Sequence, residues 1–243
     1  MRKPKMIIFD YGQTLVNESS FDPLKGTEAV LSKACNNPSN VSKEMIQSLA
    51  NELNKEIGRY GVDIDKESIL EVHTHIFQKY LYEYFDIELI KPHEEVERIF
   101  ANGAISSEAT KNINAFLAYL KKQKIRTGVI SNISFSGGLL REIISEHIPS
   151  HNFEFIIASS EYVFRKPHER IFELALRKAK LAPCDVWYCG DNGVCDVDGA
   201  GNCGIFPVWY KGAIEDRKKI VPKKECLEVM DWNELIDVLD KAK

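Results

Sequence analysis

Near its start the chain reads Lys5-Met-Ile-Ile-Phe-Asp10-Tyr-Gly-Gln-Thr14-Leu15, in which an apolar run ends in a carboxylate followed by a small, polar turn. A short apolar run bounded by a turn signal predicts a strand buried on both faces of a parallel sheet, with its carboxyl end at Asp10. Open α/β sheets bind their ligands at the carboxyl ends of the strands. The pattern therefore makes Asp10 a candidate for chemistry, although an aspartate at such a position can also simply cap a turn.

The composition is that of an ordinary globular protein. The chain has 243 residues, of which 44% are hydrophobic and 28% are charged, so it is long enough for two domains or for one domain with an insertion. Its net charge of -4 provides no basic field that would hold a nucleic acid or an anionic membrane surface. We expect small molecules as its partners, and the pattern makes no prediction of its oligomeric state.

No feature of the sequence predicts export or a membrane anchor. The basic segment Met1-Arg-Lys-Pro-Lys5 precedes an apolar run of only Met6 to Phe9, which is too short for the core of a signal peptide. No stretch reaches the length of a membrane span. The six cysteines contain no CxxC pair, which disfavours a zinc site, and we expect them to be reduced thiols. These features together predict a cytoplasmic protein.

The segment from Glu18 to about Phe100 has the periodicity of helices. One set of apolar residues recurs on a single face behind Ser42, a good N-cap, and a second set begins at Ile69. The two sets are Ile46, Leu49, Ala50, Leu53 and Ile57, and Ile69, Val72, Ile76 and Tyr80. No strand pattern interrupts them. The sequence therefore predicts an all-helical domain over residues 18–102, inserted after the first strand.

The second half of the chain alternates strands with amphipathic helices. The predicted strands are Arg126 to Ile130, Phe153 to Ile157, Val186 to Cys189 and Phe206 to Tyr210. Alternation at this spacing predicts an α/β domain, with a parallel sheet covered by helices on both faces, built from residues 1–17 and 103–243. Pro207 cannot donate a backbone hydrogen bond, so it predicts an edge position for the last strand.

Polar residues follow these apolar segments at four places, and their order resembles the four motifs of the haloacid dehalogenase-like (HAD) hydrolases. The motifs are Phe-Asp10-Tyr-Gly-Gln-Thr14-Leu, Val-Ile-Ser131-Asn132, Arg165-Lys166-Pro167 and Gly190-Asp191-Asn-Gly-Val-Cys-Asp196-Val-Asp-Gly-Ala200. Each motif alone is a weak signal, but four in order at strand ends are specific, and they span almost the whole chain. The resemblance implies a Rossmann-like core with a helical cap domain, and most members of this superfamily are Mg²⁺-dependent phosphatases.

The resemblance also assigns the nucleophile and the metal ligands. Asp10 is the expected nucleophile, because a carboxylate can split the hydrolysis of a phosphate ester into the making and breaking of an aspartyl-phosphate. The expected cofactor is Mg²⁺, which prefers oxygen ligands and keeps several waters. Asp10, the Gly12 carbonyl and Asp191 are its expected direct ligands, and Asp196 is either a ligand or a partner through water.

The phosphate site is expected to use the second and third motifs. By resemblance, Ser131 and Lys166 bind phosphoryl oxygens, and Lys166 also offsets the charge of the clustered carboxylates. Asn132 is expected to help hold the phosphate through its backbone or its side-chain amide. Asp198, near the end of the fourth motif, is interpreted as a solvated helix residue.

One residue departs from the family pattern. The phosphatases of the family carry a second aspartate two residues after the nucleophile, and this residue donates a proton to the leaving alcohol and later accepts one from water. This chain has Gly12 there, and the loss of such proton transfer would cost about 10² to 10⁴ in rate for a poor leaving group. Gln13 could orient a water molecule, and Glu18 is a conceivable substitute acid.

Two alternatives to a phosphatase follow from this departure. A catalytically silent protein could retain the fold and a phosphate or Mg²⁺ pocket for a regulatory role, although such a role would not require Asp10, Lys166 and both acidic metal positions together. A 2-haloacid dehalogenase is less favoured, because those relatives carry tyrosine at the position of Gly12 and need no site like Asp191 with Asp196.

Overall fold

The computed structural model describes residues 2–59, 69–212 and 220–242. The predicted cap range 18–102 and core range 103–243 therefore both include residues that lie outside the described part, and the domain boundaries stay a prediction. The strands are β1 (Met6–Phe9), β2 (Val16–Phe21), β3 (Ile105–Ala109), β4 (Arg126–Ser131), β5 (Ile156–Ala158), β6 (Val186–Gly190), β7 (Phe206–Tyr210) and β8 (Leu227–Val229).

The helices fall into two groups, one before β3 and one after it. They are α1 (Pro23–Leu31), α2 (Lys43–Glu56), α3 (Thr74–Tyr84), α4 (His93–Ala104), α5 (Ile113–Lys122), α6 (Gly137–His147), α7 (Glu169–Ala179), α8 (Gly199–Asn202) and α9 (Trp232–Lys241). Within the described ranges, none of them has both the length and the apolar character that crossing a bilayer would require.

Six of the described strands form one parallel sheet. Their order is β5-β4-β1-β6-β7-β8, and each neighbouring pair runs in the same direction. This order places β1 at the centre of the sheet, between β4 and β6. The carboxyl ends of these three strands therefore meet at one edge, where an open α/β sheet binds its ligands.

The packing around β1 explains why helices cover both faces of the sheet. All four residues of β1 are completely buried. Because side chains alternate along a strand, Ile7 and Phe9 pack on one face with α5, α6 and α9, whereas Met6 and Ile8 pack on the other with α7 and α8. The predicted α/β class with a Rossmann-like core is confirmed.

The prediction that Pro207 marks an edge strand is wrong, because β8 pairs along the outer side of β7. The pairing covers only Val208 to Tyr210, opposite Leu227 to Val229. Pro207 lies beyond the end of that ladder and pairs with Tyr188 of β6. A short neighbouring strand thus accommodates a residue that lacks a backbone donor.

The helices α1 to α4 form the inserted cap. They build a hydrophobic cluster of their own, to which each helix contributes at least one buried residue: Val30, Ile46, Leu81 and Val96. The chain leaves the core on β2 and returns on β3, and these two strands form an antiparallel ribbon. The prediction of no strand after Glu18 is therefore wrong for the residues up to Phe21. Their pairing partner, β3, lies far along the chain, so no local pattern marks this strand.

The start and the buried face of α3 also differ from the sequence prediction. The helix begins at Thr74, and the preceding residues are bound to the core: Glu71 donates its N–H to the Val163 carbonyl at 2.8 Å. The residues expected to be buried along this helix are largely exposed, namely Ile69, Ile76 and Tyr80. Contacts with the core thus override the apolar periodicity.

The C-terminal helix α9 is attached to the sheet by an aromatic stack, which gives the first testable prediction. The Trp232 ring is completely buried and stacks on Tyr210 at 4.3 Å and on Phe116 at 5.2 Å, and its Nε1 donates to Thr110. Replacing Trp232 with alanine leaves a large cavity, so we expect the free energy of unfolding in urea to fall by about 3–5 kcal/mol.

Met230→Ala is the matched control for this measurement. Met230 precedes the same helix, but its side chain is largely exposed, so truncation should change the free energy of unfolding by less than about 0.5 kcal/mol. Equal losses from the two variants would contradict the proposed role of the aromatic stack.

Candidate active site

The ends of the three central strands bring the predicted site residues together. Asp10 follows β1, Ser131 ends β4 and Asp191 follows β6. All three line one pocket of about 230 Å³ at the carboxyl edge of the sheet. The same pocket is also lined by Tyr11, Gly12, Glu18, Asn132, Ile133, Arg165, Lys166, Asn192, Cys195 and Asp196. The four sequence motifs therefore converge in space.

Lys166 is the centre of a buried ion-pair network. Its Nζ donates to Asp10 Oδ1 at 2.6 Å, to Asp196 Oδ1 at 2.6 Å and to the Tyr188 hydroxyl at 2.8 Å. The lysine side chain is only 2% exposed. Because an ammonium group has three hydrogens, these three acceptors satisfy it completely.

Asn132 holds the backbone of Lys166 in place. Its side-chain Nδ2 donates to the Lys166 carbonyl at 2.8 Å, and its Oδ1 accepts from the Lys166 N–H at 2.7 Å. The side-chain amide, which was one of two expected phosphate contacts, is therefore engaged within the protein in both directions. Asn132 links the end of β4 to the loop that carries the lysine.

The position of Asp196 depends on a glycine at the end of β6. A Cβ on Gly190 would overlap the Asp196 carboxyl group, so only glycine permits this close approach. Asp196 Oδ2 accepts from the Asn192 N–H at 2.9 Å, and the Asn192 side chain in turn caps the first turn of the 193–198 helical segment. The fourth motif thus folds back on itself and points Asp196 at Lys166.

The charges in this network shift the pKa values of its members. Burial raises the pKa of Asp10 to about 6; the positive charge of Lys166 acts in the opposite direction, and the Asp196 carboxylate adds to the rise. Burial alone would lower the pKa of Lys166, but the charges of Asp10 and Asp196 outweigh it and hold that pKa well above its usual value. The lysine therefore stays cationic.

The three acidic residues fit a divalent cation. Each of Asp10, Asp191 and Asp196 offers a carboxylate oxygen, and these oxygens lie within 4.8 Å of one another. Three carboxylates beside one lysine give this largely buried site a net negative charge, which a bound cation would offset. Oxygen donors are the ligands that Mg²⁺ prefers. Gly12 lines the same pocket, in keeping with the expected use of its carbonyl.

Glu18 lies beside the position of the missing second aspartate. A Cβ added to Gly12 would lie 3.7 Å from Glu18 Oε2, so the glutamate carboxylate lies close to where a side chain at position 12 would begin. The pairing of β2 with β3 shifts register immediately after Glu18, and such bulges commonly redirect a side chain near an active site. Gln13 holds this segment in place, because its Nε2 donates to the Glu18 carbonyl at 2.9 Å.

Tyr11 follows Asp10 and lines the same pocket as Glu18. Its ring packs in the hydrophobic core below the site. Burial raises the pKa of the Tyr11 phenol well above its usual value, and the carboxylates of Glu18 and Asp10 raise it further. The phenol therefore stays protonated beside the carboxylates of the pocket.

Sequence reasoning missed several residues that organise the site. The Tyr188 hydroxyl accepts a hydrogen bond from Lys166 and donates one to the Ile130 carbonyl at 3.2 Å. A tyrosine inside a fully buried strand was a signal that its hydroxyl needed partners.

The interpretation of Asp198 as a solvated residue is wrong. Asp198 is buried and accepts hydrogen bonds from the backbone N–H groups of Lys223 and Lys224. It fixes a distant segment against the end of the fourth motif.

The buried carboxylate of Glu71 connects the cap to the site. It pairs with Arg165, next to the catalytic lysine candidate, and with Arg59 of the cap, both at 3.3 Å. Ser159 also donates its hydroxyl to Glu71 at 3.0 Å. No local pattern marks this residue in the sequence, because its partners lie on three separate segments.

Known proteins resemble this chain in sequence. A sequence model of the family described as haloacid dehalogenase-like hydrolase matches residues 7–209. A protein of Pyrococcus furiosus named glyceraldehyde 3-phosphate phosphatase is 28% identical over 227 residues, which cover 87% of this chain and 82% of that protein. The family match spans all four motifs and the inserted cap.

Solved structures have the same fold. A 2-haloacid dehalogenase from Pseudomonas syringae pv. Tomato DC3000 aligns with a TM-score of 0.65 at 19% identity, covering 99% of both chains. A HAD phosphatase from Thermococcus onnurineus aligns with a TM-score of 0.63 at 18% identity, covering 100% of this chain and 99% of that one. The resemblance inferred from the four motifs is thereby confirmed, and the chain belongs to the haloacid dehalogenase-like hydrolases.

Proposed function

We propose that this protein is a Mg²⁺-dependent phosphatase that hydrolyses a small phosphorylated metabolite through an aspartyl-phosphate intermediate on Asp10. The observation that carries the proposal is the group of three carboxylates within 4.8 Å of one another, with Lys166 bonded to two of them, at the carboxyl edge of the sheet. A dehalogenase needs no such acidic group. The name of the Pyrococcus furiosus relative, a glyceraldehyde 3-phosphate phosphatase, supports a phosphate ester as the substrate class.

Asp10 is assigned the nucleophilic step. Lys166 bonds its Oδ1, whereas the contact of Oδ2 with the Thr14 hydroxyl, at 3.5 Å, is at the limit of a hydrogen bond. A carboxylate oxygen would form a bond to phosphorus while the bond from phosphorus to the ester oxygen breaks, and the electron pair leaves with the alcohol. Water would then attack the same phosphorus and release phosphate and the free Asp10 carboxylate.

The groups around Asp10 would stabilise the phosphoryl oxygens. The three hydrogens of Lys166 are donated within the protein, so we assign it the electrostatic effect of a cation that stays charged, and Ser131, at the end of β4, contributes a hydroxyl. Since the Asn132 side chain is engaged with Lys166, we assign its phosphate contact to its backbone N–H. Donors fixed in advance around the reacting phosphoryl group stabilise its charge without reorganisation.

Asp10, the Gly12 carbonyl, Asp191 and Asp196 would hold Mg²⁺. Their oxygens match the preference of this ion, and their negative excess favours its entry. The ion would supply neutralisation of the negative charge on the phosphoryl group. Lys166 bonds Oδ1 of both Asp10 and Asp196 and so fixes the direction in which their remaining oxygens face.

Glu18 is our candidate for the proton transfer that Gly12 cannot perform. Its Oε2 lies 3.7 Å from the point where a side chain at position 12 would begin, and it lines the pocket with Asp10. Protonated Glu18 would donate its proton to the leaving alcohol oxygen. The resulting carboxylate would accept a proton from the water that attacks the aspartyl-phosphate, which returns the enzyme to its starting state.

The nucleophile and the metal are tested together with 4-nitrophenyl phosphate. We expect purified protein to release 4-nitrophenol with Mg²⁺ present, a chelator to abolish the release, and Asp10→Asn to lower kcat by on the order of 10⁴-fold or more. The amide is nearly the same size as the carboxylate but is not a nucleophile under these conditions.

Asp237→Asn makes the same chemical change on the exposed side of α9 and should leave kcat unchanged. Undiminished hydrolysis by Asp10→Asn would contradict the proposed mechanism. A wild-type protein that binds Mg²⁺ yet hydrolyses no phosphate ester would instead favour the silent regulatory protein.

The role of Glu18 is tested by varying the acidity of the leaving group. For Glu18→Gln we expect kcat/KM to fall by about 10² to 10⁴ for alkyl phosphates and by much less for 4-nitrophenyl phosphate, whose leaving group needs little protonation. The variant should therefore show a steeper dependence of kcat/KM on the pKa of the leaving group than the wild type.

Glu108→Gln is the matched control, because Glu108 is exposed on β3 of the same ribbon. It should reproduce the wild-type dependence. An equal loss for all leaving groups in Glu18→Gln would assign Glu18 a structural role, and no loss for any of them would remove it from the mechanism.

A further inference from the structure

A cavity in the cap lies beyond the catalytic pocket. Its volume is about 400 Å³, which lies within the range of about 300–1,000 Å³ that is common for sites enclosing small molecules. Aromatic and aliphatic side chains form most of its wall, among them Phe77 and Leu81 of α3, Phe100 of α4 and Phe135 from the loop after β4. The cavity is therefore suited to an apolar body.

A third pocket lies between this cavity and the catalytic pocket. This passage, of about 210 Å³, shares Phe21, Arg59, Ser134 and Phe135 with the cap cavity. It shares Glu18, Asn132, Ile133 and Arg165 with the catalytic pocket. A molecule whose phosphate lies beside Asp10 would reach the cap by this path, past Glu18.

The cavity wall contains a buried hydrogen-bond donor that lacks a partner. Gln78 of α3, which lines this cavity and also an adjoining cleft, is 6% exposed, and its Nε2 has no hydrogen-bond partner among the described residues. Buried amide groups are nearly always paired, because an unpaired one loses its bonds to water without compensation. An acceptor atom on a bound molecule would satisfy this donor.

The charges at the wall are already compensated. Among the described residues that line the cavity, Arg59 has the only charged side chain. Its guanidinium pairs with Glu71 at 3.3 Å, donates to the Val72 carbonyl at 2.6 Å and covers the Phe77 ring. Since this cation is committed within the protein, the cavity provides no counter-charge for a second anionic group of a ligand.

We propose that the cap cavity holds the leaving-group part of the substrate, and that this part is an uncharged, largely apolar or aromatic body with a hydrogen-bond acceptor that binds Gln78. This inference rests on the proposed phosphatase activity, because the path from Asp10 defines which end of the ligand enters the cap. A two- or three-carbon alcohol would leave most of the 400 Å³ unfilled.

Three aryl phosphates with phenols of similar acidity test the cavity in the wild-type protein. They are phenyl phosphate, 4-isopropylphenyl phosphate and 4-acetamidophenyl phosphate, of which the last two add similar bulk but only the last adds a carbonyl acceptor. We expect kcat/KM to rise by about 10-fold or more from phenyl to 4-isopropylphenyl phosphate, since the added carbons enter the apolar cavity. The acetamido compound should gain about 3- to 10-fold over the isopropyl compound.

Two variants assign these preferences to the cavity. Gln78→Met keeps the volume but removes the donor, so it should abolish the preference for the acetamido compound over the isopropyl compound. Ala50→Leu extends from α2 into the cavity and should abolish the advantage of both bulky compounds. Gln123→Met makes the same glutamine-to-methionine change on the exposed surface of the core and should behave as wild type. Thermal unfolding midpoints check that each variant is folded.

The outcomes separate the two proposals. Equal hydrolysis of all three esters, or preferences that persist in folded Gln78→Met and Ala50→Leu proteins, would overturn the inference about the cap cavity and leave the phosphatase in place. If the protein hydrolyses none of the three esters and no 4-nitrophenyl phosphate, the proposed phosphatase activity is overturned, and this inference with it.

Discussion

The contact of Lys166 with Asp10 and Asp196 is the interaction on which the rest of the site depends. Charges buried this deeply are stable only when they are paired and fully hydrogen-bonded, and loss of one partner leaves the others uncompensated. The surroundings meet both conditions: Tyr188 takes the third hydrogen of the ammonium, and Gly190 lets Asp196 approach. These deeply buried charges therefore constrain the sequence at several separate positions.

This network also links the fold to the chemistry. Parallel strands bring Asp10 and Asp191 to one edge of the sheet, and the lysine compensates only part of their combined charge with Asp196. The remaining negative charge favours a divalent cation, and the cation and Lys166 together would favour a phosphoryl group. The departure at Gly12 still leaves a carboxylate near that position, because Glu18, at the register shift of the β2–β3 ribbon, lies next to it.

Local patterns predicted the parts of the structure that depend on local physics. The apolar run that ends at Asp10 predicted a buried strand of a parallel sheet, and helical periodicity predicted the helices of the cap. The buried roles of Glu71 and Asp198 could not be predicted, because their partners are distant in sequence. The same reason explains the errors at the ribbon and at the start of α3, where core contacts override the apolar pattern. The cap cavity is a property of packing, which no single segment encodes.

Trapping of the covalent intermediate tests the central claim most directly. Turnover of 4-isopropylphenyl phosphate would be stopped with acid within the first reaction cycle, and the peptides of the protein would be analysed by mass spectrometry. The account predicts one phosphoryl group on Asp10, formed in step with a burst of alcohol and lost as phosphate appears. A phosphoryl group on any other residue would contradict it. Turnover with neither a phosphorylated peptide nor a burst of alcohol would contradict it as well.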